Sequence, residues 1–442
     1  MEGSGMGGAG GERPTPPEDR RQPVRSSRRG PPRGPVGSAP PEGRAVRSET
    51  LDPSRWRRAS RLPPYVFAEV AGWRAEALAA GRTVFDFSLG NPDGEPPEAV
   101  VRALREAARP GQFRYPQANG GRELREAMAR WYGRRYGVEL DPETEILPVL
   151  GAKEGIGHLL LATLGPGDAL LTPSPSYPIH RFGGEMAGAE VVGVAIGPGQ
   201  SYAANVRRAL ERTRSRPRGL LACFPHNPTG VTAGEGELAD LLSAAREHDL
   251  FLLHDLAYAD LDFARERAPS ALALPGARER TVEYFSLSKS YQMAGFRCGF
   301  CCGNRDLVAA LARIKSYLDY GMFNPVQAAA RVALDECDDF PATVRARMHA
   351  RARALCEGLS GAGWSAPMPR GSMFLWARLP PAWASRGSWA FSRALFDATG
   401  VAVSPGAGFG EGGDGFVRFA LVEPEERIAR ACQAVAAFLR ER

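Results

Sequence analysis

The sequence predicts an α/β fold: a large domain with a mostly parallel sheet between helices, and a smaller α+β domain beside it. Two patterns carry that expectation. From Glu145 to Cys302 short apolar runs alternate with helical stretches, and such alternation lays strands side by side under covering helices. Several of the runs lead at once into polar or glycine-rich residues, and in open α/β sheets the ligand sits beyond the carboxyl ends of the strands. The length agrees, since 442 residues with 43% hydrophobic and 24% charged content suffice for two lobes with their own cores.

In chain order, residues 1–54 are built of Gly, Pro, Ser and Arg. They hold too few apolar side chains to offset the entropy of ordering, so a disordered tail is expected. The tail also carries the charge: residues 1–61 contain 13 arginines and 7 acidic residues, the whole of the formal +6. No aromatics interleave with Arg20-Arg21 or Arg28-Arg29, so no nucleic-acid partner is expected. A folded protein starting near Arg55 is an alternative reading of the same stretch. Residues 55–105 read as an N-terminal arm and part of the smaller domain, 106–330 as the large domain, and 331–442 as the C-terminal small domain. Val66–Ala80 has helical spacing, Thr83–Leu89 alternates as a strand does, and Gly90-Asn-Pro-Asp-Gly94 is rich in turn formers. Helices follow at Pro97–Ala108 and Gly121–Tyr136. Strands are expected near Glu145–Val149, Ala169–Thr172, Val191–Ile196, Gly219–Phe224, Leu250–His254, Val282–Ser286 and Arg297–Cys302, with helices such as Glu237–His248 between several of them. Leu307–Tyr317 reads as a helix, Pro325–Gly361 as one long helical stretch, and Met373–Leu379 and Gly415–Val422 as strands of the closing lobe.

Composition excludes several classes. Seven cysteines, an odd number scattered along the chain, make no disulfide framework. Cys298 and Cys301 have the spacing of a redox or metal pair but lie in a strand-like run, where positions three apart face opposite sides. They are expected as small core residues, and no metal site is expected. No run approaches the roughly 18 apolar residues of a spanning helix, and no secretory stretch follows Met1. No membrane partner is therefore expected, and the cytoplasm is the expected compartment.

Lysine is nearly absent: Lys153, Lys289 and Lys315 stand against 53 arginines. An amine can lose its proton near neutral pH and condense with an aldehyde, which a guanidinium cannot do. Lys289, amid the apolar and hydroxyl side chains of Phe285-Ser-Leu-Ser-Lys-Ser-Tyr-Gln-Met-Ala-Gly-Phe-Arg297, is the candidate for that chemistry. Lys315, on a periodic helix, is expected as a solvated charge.

Five polar segments follow expected strands: Gly151-Ala-Lys-Glu-Gly155, Ser176-Tyr-Pro178, Asn227-Pro-Thr-Gly230, Asp255-Leu-Ala-Tyr258 and Ser286–Lys289. The first opens a helix, where free N–H groups and the dipole favour a phosphate. In this order, from about Arg55 to Phe438, the chain resembles the class I/II aminotransferases, the pyridoxal-phosphate enzymes of fold type I. Arg61-Leu-Pro-Pro-Tyr-Val-Phe67, Phe87-Ser-Leu-Gly-Asn-Pro-Asp93, His254-Asp-Leu-Ala-Tyr-Ala-Asp260 and Ser286-Leu-Ser-Lys-Ser-Tyr-Gln-Met-Ala-Gly295 are similar to the bacterial glutamate–pyruvate (alanine) transaminase subgroup.

The resemblance implies a role for each site residue. Lys289 is the covalent anchor of pyridoxal 5'-phosphate and the acid/base that moves the substrate's proton. Asp255 pairs with the pyridine nitrogen, so that the ring can accept electrons. Asn227 and Tyr258 bond the cofactor's phenolic oxygen, and Tyr177 stacks on the ring. His180 either backs Asp255 or is an ordinary packed histidine. The phosphate falls to the N–H groups of Ala152 and Lys153, to Ser286 and Ser288, and to Arg297, the side-chain role of Lys153 staying open. Tyr115 corresponds to a tyrosine that reaches the phosphate of a neighbouring subunit, which implies a homodimer with shared active sites. Arg418, a lone cation in an apolar strand, takes the substrate α-carboxylate, helped by Gly90 and Asn227.

The implied reaction moves an amino group between an amino acid and a 2-oxo acid, with alanine and 2-oxoglutarate as the expected pair. Diaminopimelate, methionine, a branched-chain amino acid or a biosynthetic intermediate is the alternative, as is a lyase or decarboxylase of the same fold. A transcription regulator would need a helix-turn-helix module, which the Pro/Gly-rich tail cannot build. The chain departs from the subgroup where Gln292 and Phe296 replace an expected Asn and Trp, and in His226 and Met322-Phe-Asn324, residues placed to reshape the side-chain pocket.

Overall fold

The computed structural model describes residue 56 and residues 58–441. The expected tail, residues 1–54, lies outside the described residues.

Helix α1 (Val66–Ala79) leads into strand β1 (Phe85–Phe87), and helices α2 (Glu98–Ala107) and α3 (Arg122–Tyr136) follow. The third stops at Gly137, whose φ of 66° is the left-handed conformation that glycine adopts at little cost. The alternating region is then β2 (Ile146–Val149), α4 (Ala152–Thr163), β3 (Asp168–Ser174), α5 (Pro178–Ala187), β4 (Glu190–Ala195), α6 (Tyr202–Leu210), β5 (Arg216–Cys223), α7 (Glu235–Glu247), β6 (Phe251–Asp255), β7 (Thr281–Ser286), the single turn α8 (Leu287–Ser290) and β8 (Gly299–Gly303). After it come α9 (Arg305–Leu318), α10 (Asn324–Glu336), α11 (Phe340–Gly361), β9 (Phe374–Arg378), α12 (Gly387–Thr399), β10 (Val401–Pro405), β11 (Phe416–Ala420) and α13 (Glu425–Arg440).

The expected single helix over Pro325–Gly361 is two helices, α10 and α11, broken around Cys337–Asp339. Pro341 explains the break: it has no N–H to donate and fits only the first turn of a helix, which is where α11 places it. Strand β10 and helices α12 and α13 were not foreseen from the sequence.

Seven strands form one sheet in the order β2-β8-β7-β6-β5-β3-β4. Strand β8 runs antiparallel to both neighbours, and every other pairing is parallel. In consequence β2, β3, β5, β6 and β7 all end on the same edge, and the five polar segments follow those ends. Strands β3 and β6 are buried through their middles, as covering by helices on both faces requires. A second sheet, β1-β10-β11-β9, joins Phe85–Phe87 in parallel to Val401–Val403 and carries Arg418 opposite Trp376 and Ser404. Cys298 and Cys301 are fully buried, and burial pushes the thiols of both up to about 12, so they are core residues, as expected.

Candidate active site

A cavity of about 400 Å³ opens at the shared carboxyl edge of the large sheet. Every residue nominated from the sequence lines it except His180 and Tyr115.

One end is built for an anion. After β2 the chain turns at Gly151, with φ of 88°, and enters α4, where Gly151 O takes the Glu154 and Gly155 N–H groups and the helix opens on those of Ala152 and Lys153. Glu154 on that turn reaches back to accept the Leu150 N–H at 2.8 Å and so fixes the entry. Above the entry lies Arg297, itself left-handed at φ 54°, whose guanidinium donates to Ala294 O at 3.0 Å and Leu150 O at 3.1 Å. A Cβ on Gly151 would run into that guanidinium, so glycine there keeps the cation and the helix terminus together. Ser286, at the end of β7, caps α8 by accepting the Ser288 N–H at 3.3 Å, which places both hydroxyls on the wall. Lys153 points elsewhere: its ammonium lies 3.3 Å from the Tyr65 hydroxyl and over the rings of Tyr65 and Tyr177.

The middle holds Lys289, Asp255, Asn227 and Tyr258. Lys289 projects from α8, and its ammonium donates to Gly90 O at 2.9 Å. Desolvation, followed by the charges of Arg418 and Arg297, lowers its pKa to about 7, so much of the amine is free at neutral pH. Asp255 ends β6 with Oδ1 accepting the Ala257 N–H at 3.1 Å and Oδ2 accepting from His180 Nε2 at 2.8 Å. His180 Nδ1 sits 2.8 Å from Ser176 Oγ. A ring that donates from Nε2 and accepts at Nδ1 satisfies both contacts, and Asp255 itself borders the cavity. His180 is thus hydrogen-bonded to Asp255 and also buried, a placement compatible with either alternative left open by the sequence. Asn227 donates from Nδ2 to the Tyr258 hydroxyl at 3.3 Å, and burial holds that phenol well above its ordinary range.

The far end is a box around Arg418. Its guanidinium, 1% exposed, lies over the rings of Phe374, Phe409 and Phe67 at 4.0, 4.7 and 4.9 Å. It donates to Asn227 Oδ1 at 3.0 Å, Ser88 O at 3.0 Å and Ser404 Oγ at 3.3 Å. Among the described residues none of its hydrogen bonds goes to a carboxylate, and its Nε has no partner. Burial lowers its pKa to about 10, which still leaves it charged. Phe67, Phe374, Phe409 and Ser404 were missed as site residues. The string Arg61–Phe67 held one of them, but aromatic residues give no signal that separates a cation box from core.

Lys315, expected as a solvated charge, is instead 1% exposed and bridges Glu154 at 2.8 Å and Asp319 at 3.1 Å. Two carboxylates on separate elements offset the burial of its charge, which helical periodicity alone cannot reveal. Tyr115 is 82% exposed and packs on Tyr320, with ring centroids 4.6 Å apart, away from the cavity of its own chain.

The walls fit pyridoxal phosphate on their own chemistry. A helix N-terminus beside a guanidinium suits a dianion, a partly neutral amine suits an aldehyde, and a buried carboxylate with an open lining face suits a protonated ring nitrogen.

Comparisons with known proteins agree. The sequence profile of aminotransferase class I and II matches residues 82–435. The glutamate-pyruvate aminotransferase AlaC of Escherichia coli (strain K12) is 43% identical over 394 residues, covering 89% of this chain and 96% of that protein. An LL-diaminopimelate aminotransferase of Dehalococcoides mccartyi (strain CBDB1) is 36% identical, covering 86% of this chain and 98% of that one. Among solved structures, a probable N-succinyldiaminopimelate aminotransferase from Thermus thermophilus superposes with a TM-score of 0.78 at 38% identity, covering 84% of this chain and 100% of that one.

Proposed function

This chain belongs to the class I and II aminotransferases and is pyridoxal-phosphate-dependent; from that premise we propose that it moves an amino group between alanine and 2-oxoglutarate, giving pyruvate and glutamate. The observation that carries the reading is a lysine amine with a pKa of about 7 facing a buried arginine that has no carboxylate partner among the described residues. The relative named glutamate-pyruvate aminotransferase supports the choice of substrates.

The cofactor, when bound, supplies an aldehyde that takes up an amine and a ring that accepts the electron pair left on the α-carbon. The chain's residues do the rest. Ala152 and Lys153 N–H, Ser286, Ser288 and Arg297 would hold the phosphate, and Asp255 would hold the ring nitrogen with its charge fixed by His180. Asn227 and Tyr258 would donate to the phenolic oxygen, and Tyr177 would cover the ring face. Arg418 would clamp the substrate α-carboxylate in place of the counter-ion it lacks, with Gly90 and Asn227 completing the grip. Lys289, neutral for much of the time at pH 7, would take the α-proton at Nζ and return it on the other side of the exchange. Tyr65, Phe67, Tyr177, Tyr258 and Phe374 on the cavity wall would limit the water around that transfer once ligands fill the site.

The purified holoenzyme with alanine and 2-oxoglutarate is expected to yield pyruvate and glutamate, measured by chromatography. Rates far below those with methionine, valine or diaminopimelate would refute the pair. The relative named for LL-diaminopimelate keeps that donor as the second reading. Lys289→Ala is expected to abolish turnover.

Assembly belongs to the same proposal. Phe113, Tyr115, Tyr317, Tyr320 and Phe323 are all exposed, with Phe113 stacked on Phe323. A large exposed apolar patch supports a homodimer with shared sites, to which Tyr115 would contribute. Residues 106–330 would form the cofactor domain, with 55–105 and 331–442 as arm and small domain, a division that the two sheets support. No helix among the described residues is long and apolar enough to cross a membrane, and we place the enzyme in the cytoplasm.

A further inference from the structure

Gln292 replaces an asparagine expected from the resemblance, and the reaction as derived gives it nothing to do. Its geometry is unusual on three counts. It is 7% exposed, its backbone is left-handed at φ 56°, and its amide has partners on three separate segments. Nε2 donates to Lys289 O at 3.1 Å. Oε1 accepts the Gly94 N–H at 3.0 Å and an Arg347 Nη2 hydrogen at 3.1 Å. Gly94 belongs to the strap whose Gly90 carbonyl receives the Lys289 ammonium at 2.9 Å. The strap and the lysine turn, 199 residues apart in sequence, are thus tied twice, once through the lysine and once through Gln292.

We propose that Gln292 is a positioning residue that latches the strap 90–94 to the turn bearing Lys289, and so sets the width of the site between Lys289 and the substrate carboxylate end. The tie through Lys289 is broken whenever the amine engages anything else. The tie through Gln292 persists, because none of its three contacts uses a reacting atom. A glutamine is required by reach: asparagine is one methylene shorter, about 1.5 Å, which exceeds the slack of hydrogen bonds already near 3 Å. Backbone preference argues the other way, since asparagine adopts a left-handed φ more readily than glutamine. Local strain kept at a position where a better-suited residue exists marks a functional demand on the side chain. On the strap, Gly94 is equally constrained, because a Cβ there would lie 2.7 Å from Gln292 Oε1. The strap's other anchor is independent: Asp93 is held by Arg351 of α11 in a two-pronged pair at 2.8 Å.

The inference rests on Lys289 being the amine of the proposed reaction, and the test separates the two. Hydrogen exchange at residues 90–96 is measured in the cofactor-free protein, and steady-state constants in the holoenzyme, for wild type, Gln292→Asn and Gln292→Glu. The shorter variant folds as well as wild type by thermal melting, exchanges the Gly94 amide at least tenfold faster, and raises KM for both amino and oxo acid about tenfold, with kcat changed less than threefold. Tenfold corresponds to one lost hydrogen bond of about 1.4 kcal/mol. Gln292→Glu keeps the reach and the acceptor toward Gly94 and Arg347 but gives up the N–H donated to Lys289 O, so it keeps the Gly94 amide protected and shifts KM clearly less than Gln292→Asn does. Unchanged exchange and KM in Gln292→Asn overturns the latch, as does equal damage in both variants, which would make length irrelevant. If wild type neither binds the cofactor nor turns over, the functional reading itself has failed, while the exchange result still decides whether the strap is latched.

Discussion

Two histidine–carboxylate pairs stand back to back on β6, and they show what separates a group kept for chemistry from one kept for folding. His254 and Asp255 are consecutive, so their side chains leave the sheet on opposite faces. His254 Nδ1 meets Glu283 of β7 at 2.6 Å, its partner in the strand register. Asp255 meets His180 at 2.8 Å. All four side chains are buried. The difference lies in what the oxygens have left. Glu283 also accepts from Tyr132, from Ser270 Oγ at 2.6 Å and from the Ala271 N–H at 2.6 Å, so it is saturated. Burial would raise its pKa, but the bond to and charge of His254 outweigh that, and the carboxyl sits below its ordinary range. Asp255 has one backbone and one histidine partner and borders the cavity. Saturation marks structure, and spare capacity in a cavity wall marks a site.

The largest expected effect breaks the symmetry outright. Asp255→Asn is expected to lower kcat/KM by about 10³-fold or more while the melting temperature of the apoprotein stays near wild type: the negative charge is lost, whereas the hydrogen bonds are kept once His180 changes tautomer, accepting from the Asn amide at Nε2 and donating from Nδ1 to Ser176 Oγ. Glu283→Gln is expected to do the reverse, costing about 3–5 kcal/mol in urea unfolding as one half of a buried pair is removed, with turnover per folded molecule near wild type. Loss of turnover with stability intact in Glu283→Gln would end the distinction.

The same criterion sorts the buried cations. Arg418 has an unpartnered Nε and no carboxylate among the described residues, whereas Lys315 holds two carboxylates. Arg418→Lys is expected to raise KM for amino and oxo acids about 10²-fold, since an ammonium cannot form the paired bonds of a guanidinium. Lys315→Met is expected to lower stability and leave KM alone. His180→Gln comes next, with a loss of about tenfold in kcat, the usual size for a residue that orients a reacting group through one hydrogen bond. Rate measurements on the purified variants decide each case.

Sequence was informative where residue type is restricted by chemistry and mute where it is restricted by packing. Lys289 stood out because lysine is scarce, and the post-strand motifs placed Asp255, Asn227 and Tyr258 because strand ends are readable from apolar runs. Glu283 carried no such sign: it sits inside a strand, and its partners Tyr132, Ser270 and His254 come from segments that only the fold brings together. Lys315 misled for the same reason. The break at Pro341 was visible in the sequence, but the helical periodicity on both sides of it outweighed one proline. Strand β10 is five buried residues ending in a proline, a short run that alternation could not distinguish from loop.

The last expected effect is on the pH dependence of stability rather than on turnover, and it divides the two classes once more. Lys289 titrates near 7 in the folded apoprotein and near 10.5 when unfolded. Between those values the unfolded chain holds the extra proton, so stability rises with pH across the window and is flat on either side of it. Glu283 works at the other end. Its folded pKa lies below the ordinary 4.5, so its contribution is present above that value and is lost as pH falls through the folded pKa. The chemical amine thus shapes the alkaline arm of the stability profile and the structural carboxylate the acid arm. Lys289→Met is expected to flatten the rise between pH 7 and 10 in thermal melts of the apoprotein while leaving the acid arm in place. A rise that survives the substitution would mean that burial does not hold this amine near neutrality, and would remove the reason for which the site can take a proton at pH 7.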